Sequence, residues 1–197
     1  MRQEYRDAQE IARRLVREVG EPIFYGREGI HVETSAALFK GDPLVRKAVD
    51  ELGARPDPAG HGLGHATKVA VDAGAIILVE RGPADPAGGV RRLVTLVHVA
   101  GVLHDICREE KEHALRGAEE ARRLLRAFAL REDERDTIAG AVANHEAFRP
   151  SRPMGDADGQ LVSDALYDAD KFRWGPDNFS EMLWDMVARR DVPLSAV

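Results

Sequence analysis

Cysteine is nearly absent from this chain. The single one, Cys107, excludes an intramolecular disulfide and fits a reducing compartment. Positive charge is in deficit too: a net charge of −6 argues against a nucleic-acid polymer as partner, which would need a basic stripe. Nucleotides stay open, because a metal and a few local cations hold a phosphate inside an acidic protein. Long hydrophobic runs are also missing. The longest, Leu93–Leu103, is interrupted by Thr95 and His98 and is too short to span a bilayer, so no membrane association is expected. Residues 1–20 are charged and lack the apolar centre of a signal peptide, which makes the cytoplasm the expected location. No Gly-x-Ser-x-Gly occurs, and the glycines of 60–64 follow no strand pattern, so they make no dinucleotide fingerprint. Asp156-Ala-Asp158-Gly159 opens like a calcium loop but lacks the later acidic ligand.

What is present is helical. With 197 residues, 44% of them hydrophobic and 31% charged, the chain can build one well-buried core. Ile11, Leu15, Val16 and Val19 fall near helical spacing in residues 2–19, and Gly20 ends the run. Residues 21–34 mix aromatic and β-branched residues with two glycines and read as irregular, with room for a short hairpin. Asp42-Pro43 looks like an N-cap followed by proline at the first helical position, opening a helix to about Leu52. The prolines and glycines of residues 55–64 predict a loop. A helix from His65 to Glu80 carries Val69, Ala73 and Ile76 on the face of His65. Residues 90–106, apolar almost all round, predict a central buried helix that ends in His104-Asp105. Helices at about 109–129, 131–147, 161–171 and 176–190 complete the pattern, with a Pro/Gly-rich loop over 149–159. The expected fold is all-α, a single-domain helical bundle. Residues 1–56 would form N-terminal helices and an irregular segment packed on a core of residues 57–197.

His65, the pair His104-Asp105, His145 and Asp170 interrupt otherwise apolar helical stretches. Imidazoles and carboxylates facing a core are costly unless compensated, and one divalent cation satisfies several at once. Taken singly, each has a plainer explanation as a hydrogen-bonded core residue or a solvated helix end; His31 and His98 are left in that class. Counted together, on four predicted core helices, they point to a metal, as bundles converge such groups on one point. Mixed nitrogen and oxygen donors suit manganese, iron, cobalt, nickel, zinc or magnesium.

The order His…His-Asp…Asp, with its surroundings, resembles the HD superfamily of metal-dependent phosphohydrolases. The matching pieces are His61-Gly-Leu-Gly-His65-Ala-Thr-Lys68-Val69, Gly101-Val-Leu-His104-Asp105-Ile106 and Asp168-Ala-Asp170-Lys171-Phe172, within residues 57–175. The resemblance implies an HD-domain bundle in which His65, His104, Asp105 and Asp170 ligate the metal, with Asp168 outside the ligand set. His113-Ala-Leu-Arg-Gly117-Ala118 and Asn144-His145-Glu146 are similar to segments whose histidines hold a second metal in dinuclear members. Asn144 stands where such members have a histidine, so His113 and His145 are either further ligands or hydrogen-bonding neighbours.

A phosphate ester repels hydroxide, so such a site must supply both a nucleophile and a positive field, and a bound cation does both. Asp105 would act through that cation. Glu109, read as one helical turn beyond Asp105, is the candidate general acid/base, or else one acid of the surface run 108–112. Lys68, Lys171 and Arg108 are candidate phosphate binders, with Arg149, Arg152 and Arg173 as weaker ones. His61, in a glycine-rich run, is either a substrate-closing residue or an ordinary loop histidine. Alarmone hydrolases of the superfamily carry Glu-Asp where this chain has Arg108-Glu109, which points away from that substrate. The expectation is a phosphohydrolase acting on a nucleotide or another small phosphate compound, with one or two divalent ions and with a homodimer open. The alternatives are a di-iron HD-type oxygenase and a non-enzymatic module with a structural metal.

Overall fold

The computed structural model describes residues 2–55, 62–82, 88–172 and 178–196. Its elements are α1 (Gln3–Val19), α2 (Ile23–Gly41), α3 (Pro43–Gly53), α4 (Leu63–Arg81), α5 (Gly89–Leu103), α6 (His113–Leu125), α7 (Glu132–Asn144), α8 (Ala157–Phe172), a π-turn (Asn178–Met182) and α9 (Leu183–Arg190), followed by a 3-10 turn over Leu194–Ala196. No strand occurs among the described residues, and the all-α expectation holds.

The segment that is apolar all round lies at the centre, as its composition requires: every residue of α5 from Val94 to Leu103 is buried. Against it lies α4, close enough that a Cβ on Gly101 would stand 2.7 Å from the Cα of Ala70. Only glycine permits that approach. Gly101→Ala is expected to push α5 off α4 and cost about 1–3 kcal/mol, the usual penalty of overpacking; equilibrium denaturation checks it. α6 and α7 form a second helical pair beside α5, and α8 covers α4, α5 and α7. Arg92 of α5 grips the buried Glu134 of α7 through two hydrogen bonds of 2.6 and 2.7 Å. That bidentate geometry fixes the two helices in register as well as satisfying the buried charge.

Several boundaries differ from the sequence reading. Residues 23–41 are helical rather than irregular, with a kink at Glu28 (φ −109°, ψ 18°) between Gly26 and Gly29. The apolar residues of α2 are spread round the helix because it meets α3, α4 and α5, so no single stripe marks it. Asp42 caps α3 as read, accepting from the amides of Leu44 and Val45. Residues 104–112 are not helical. They run in successive i→i+3 turns, and Glu112 adopts a left-handed φ of 57° just before α6 begins. α8 starts earlier than expected because Asp156, the first acid of the calcium-loop look-alike, caps it by accepting from Gly159 N at 2.7 Å. On α1 the buried residues are Tyr5, Gln9 and Ala12, while Ile11, Leu15 and Val19 are exposed. The reason is its partner: α1 lies on the π-turn and α9, with Arg13 and Gln9 gripping Glu181 and the Tyr5 hydroxyl donating to Val192 O.

Candidate metal centre

Five helix termini meet at one end of the bundle. His65 lies in the first turn of α4, His104 and Asp105 follow the last residue of α5, and His113 opens α6. His145 follows α7, and Asp170 sits in the last turn of α8. Three of these are C-terminal ends, whose carbonyl dipoles favour a cation.

The distances are informative. His65 Nε2 lies 3.3 Å from Asp170 Oδ1, and His104 Nε2 lies 3.4 Å from Asp105 Oδ2 and 3.7 Å from Asp170 Oδ1. His145 Nε2 and His113 Nε2 approach the other oxygen, Asp105 Oδ1, at 3.3 and 3.7 Å. A direct hydrogen bond would pull such atoms to about 2.9 Å. Donors about 2.1 Å from a shared ion lie about 3.0 Å apart at an octahedral edge and about 3.4 Å at a tetrahedral one. The separations of 3.3 and 3.4 Å are compatible with ligand edges, while the two of 3.7 Å are longer than either. The Nε2 of His104 is buried and has no hydrogen-bond partner among the described residues. His104 and His145 are oriented alike: each Nδ1–H donates to the carbonyl three residues earlier, Gly101 O and Val142 O, at 2.7 Å. That anchors each ring through Nδ1 and turns Nε2 towards the carboxylates, where the unprotonated ring could bind an ion. Two buried groups, His65–His104–Asp170 and His104–Asp105–His145, have the reach to hold one. The donor set fits a divalent cation.

Charge in this cluster is strongly coupled. Burial disfavours the His104 cation, but the carboxylates of Asp105 and Asp170 outweigh it and hold the imidazole up at about 9. Burial would raise Asp105 and Asp170, yet His104 with His145, and His65 with His104 and Lys171, keep both carboxyls below their ordinary range. His65 goes the other way, lowered by burial against the pull of Asp170. A coordinated imidazole must be unprotonated, so below pH 9 an incoming ion displaces the His104 proton. Uptake is therefore expected to release about one proton per ion between pH 7 and 8 and to weaken as pH falls; calorimetry in buffers of different ionisation enthalpy measures it.

The cluster opens onto a cavity of about 670 Å³. Its titratable lining includes His65, Asp105, Arg108, His113, Glu146, Asp170 and Lys171, and the rest includes Phe148, Tyr167 and Asn178 with Met182, Leu183 and Met186. Arg108 reaches Asp105 at 3.5 Å and His113 at 3.0 Å, while Lys171 Nζ reaches Asp170 Oδ2 at 2.6 Å. Glu109 is exposed and outside this lining, because the turns after Asp105 remove the helical register that would have aimed it inward. Lys68 is likewise exposed on α4 and outside the lining. His61 and Arg173 lie outside the described residues. Asp168 borders a different pocket, with Phe24 and Asp72. Asn144 does not join the donors: its amide exchanges hydrogen bonds with the Arg152 backbone and donates to Ser163, pinning the 149–156 loop. Arg149 pairs with Glu146. Cys107 is half-buried with its thiol pushed up to about 11 by burial and Glu110, which suits packing and not nucleophilic attack. Of the two histidines set aside earlier, His98 is buried against Ser35, and His31 is half-buried and paired with Glu28. The lining from Glu146 and residues 178–186 was missed in the sequence, where only the Met182–Met186 spacing hinted at a shared helix face.

Among the described residues, no helix is long and apolar enough to cross a membrane. Comparison with known proteins adds no family: no family model, no curated protein and no solved structure matches the chain.

Proposed function

We propose that this protein is a metal-dependent phosphohydrolase of the HD type, cleaving a phosphoester or phosphoanhydride of a nucleotide or similar small phosphate compound. The observation that carries the reading is that the donor cluster borders an open cavity: His65, Asp105 and Asp170 line the same 670 Å³ space as Arg108 and Lys171. A purely structural ion would sit in a closed set of donors. Asp105, with its two oxygens turned to different histidines, is the central ligand, and His65, His104 and Asp170 complete the set. A divalent cation in this place supplies Lewis acidity, lowering the pKa of a water from about 15.7 towards about 7 and drawing charge from phosphoryl oxygens.

The chain's own residues do the rest. Arg108 and Lys171 border the ligands and orient phosphoryl oxygens, each turning from its carboxylate partner to the substrate's phosphate. Glu146 is the described lining carboxylate outside the donor set, and it takes the proton-transfer role that the sequence suggested for Glu109. The tests are elemental analysis and a phosphate-release screen over nucleotides and other phosphomonoesters with added manganese, cobalt, nickel or magnesium. Metal-dependent release is expected, and no release with any of them would remove the reading.

One observation favours a second reading. His113 and His145 both face Asp105 Oδ1, the geometry a second ion bridged by this carboxylate would need. Two irons per chain on purification, with oxygen consumption in place of phosphate release, would identify a di-iron oxygenase.

A further inference from the structure

The cavity is divided in its chemistry. The bundle supplies its charges, whereas the π-turn and α9, which carry none of the metal donors, supply Met182, Leu183 and Met186. Tyr167 and the fully exposed ring of Phe148 add two aromatic faces to that apolar lining. Asn178 lies in the same wall, and its buried amide oxygen has no hydrogen-bond partner among the described residues. A hydrocarbon occupant would leave that acceptor unmet, while a heterocycle bearing an N–H group suits it. Thioethers and aromatic faces are good surfaces for a flat ring, since sulfur is polarisable and pays little for adapting its rotamer. The volume is within the range of pockets that enclose a whole small-molecule ligand, so a phosphate alone would leave most of it empty.

The fixed charges set the other half of the specificity. Asp105, Asp170 and Glu146 oppose Arg108 and Lys171, leaving one net negative charge on the lining. A single divalent ion turns that into one net positive charge, which suits one phosphate group of about −2. A triphosphate would bring further negative charges against Glu146 with no additional cation among the described lining residues.

From this division we infer that the π-turn and α9 form a base subsite, and that the substrate is a nucleoside monophosphate. The inference rests on the phosphohydrolase reading and narrows it. Met182 and Met186 are the specificity-determining residues, contacting the base and not the reacting phosphorus.

The test uses the full chain loaded with manganese and compares AMP, ATP, glycerol 3-phosphate and hexyl phosphate. AMP is expected to show kcat/KM at least about 10-fold above the other three, about what the burial of one or two such side chains against a ring contributes. The double variant Met182→Ser, Met186→Ser is expected to lower the ratio of AMP to glycerol 3-phosphate about 10-fold, acting through KM, while Met186→Leu retains the ratio. Equal kcat/KM for all four compounds would keep the hydrolase and overturn the subsite, as would an unchanged ratio in the double variant. If none is hydrolysed, equilibrium dialysis of AMP decides. Binding weakened by the methionine variants removes the hydrolase reading and keeps the subsite; no AMP binding removes the subsite as well.

Discussion

Asp105→Ala is expected to purify without metal and without turnover, the largest single effect in this protein. One carboxylate faces His104, His145, His113 and Arg108 at 3.3 to 3.7 Å, so no other side chain can take over its geometry. Even partners that only orient metal ligands are worth about 10–100-fold in affinity; loss of the central ligand is expected to cost at least about 100-fold. The metal-free fold suffers as well. With Asp105 gone, the fully buried His104 loses the carboxylate that does most to hold its proton. Breaking such a buried pair costs about 3–5 kcal/mol. Asp105→Asn keeps the shape while removing the charge, so the losses it shares with Asp105→Ala are electrostatic and the remainder is packing. Metal content by elemental analysis, phosphate release and thermal melting together check it. His104→Ala should behave in the same way, and retained turnover in either variant would sink the mechanism.

Acid should destabilise the fold through a histidine that has no part in the site. His98 is buried between α2, α4 and α5, and its ring meets Phe39 edge-on. Ser35 donates its hydroxyl hydrogen to Val71 O at 2.7 Å, so His98 Nε2–H must be the donor to Ser35 Oγ at 2.9 Å. The proton is therefore on Nε2, and Nδ1 is a bare lone pair with no partner among the described residues. Charging the ring would place an N–H at Nδ1 with nothing to accept it. Burial drives the folded pKa down to about 3, with Asp42 opposing only weakly. In the unfolded chain the ring titrates near 6.5. The unfolded state thus binds the extra proton between pH 6.5 and 3, and stability falls as pH falls through that window. The slope is about 1.4 kcal/mol per pH unit, amounting to about 2.7 kcal/mol at pH 4.5. His98→Leu is expected to match the native chain near pH 7 and to exceed it by about that amount at pH 4.5. His65 and His113 are lowered by burial too and push in the same direction. The difference between native and variant isolates His98. Urea denaturation from pH 7 to 4.5 measures it, and parallel curves would contradict the assignment.

The parts of this architecture that were legible in the sequence are those where one residue type has one physical use. Asp42-Pro43 can do little but cap and start a helix, and it does. An all-round apolar segment has to be central, and α5 is. His65, His104, Asp105, His145 and Asp170 stood out because polar groups on apolar helices need a common compensation, and they meet at one end of the bundle. What the sequence hid depended on tertiary context. The helix α2 lacks a stripe because it divides its contacts among α3, α4 and α5 and leaves Ile23 and Ile30 exposed, and α1 turns its best apolar residues to solvent because its partner offers Glu181. Glu109 was misplaced for a local reason. Helical register was extended past Leu103, where the backbone had already changed to single turns and a left-handed residue at Glu112. The apolar side of the cavity was hidden since methionine and leucine at helical spacing mean core far more often than binding surface.

Order along the chain has a consequence for how the cleft is assembled. All six imidazole and carboxylate donors fall between positions 65 and 170, but the methionine side belongs to the segment after 177, and that segment is clasped by Tyr5 and Arg13 from the far end of the polypeptide. During vectorial synthesis the donor cluster therefore emerges before the wall formed by residues 178–190. If the proposed ion binds there, its capture does not have to wait for residues 178–190, and the methionine wall is laid over donors already in place.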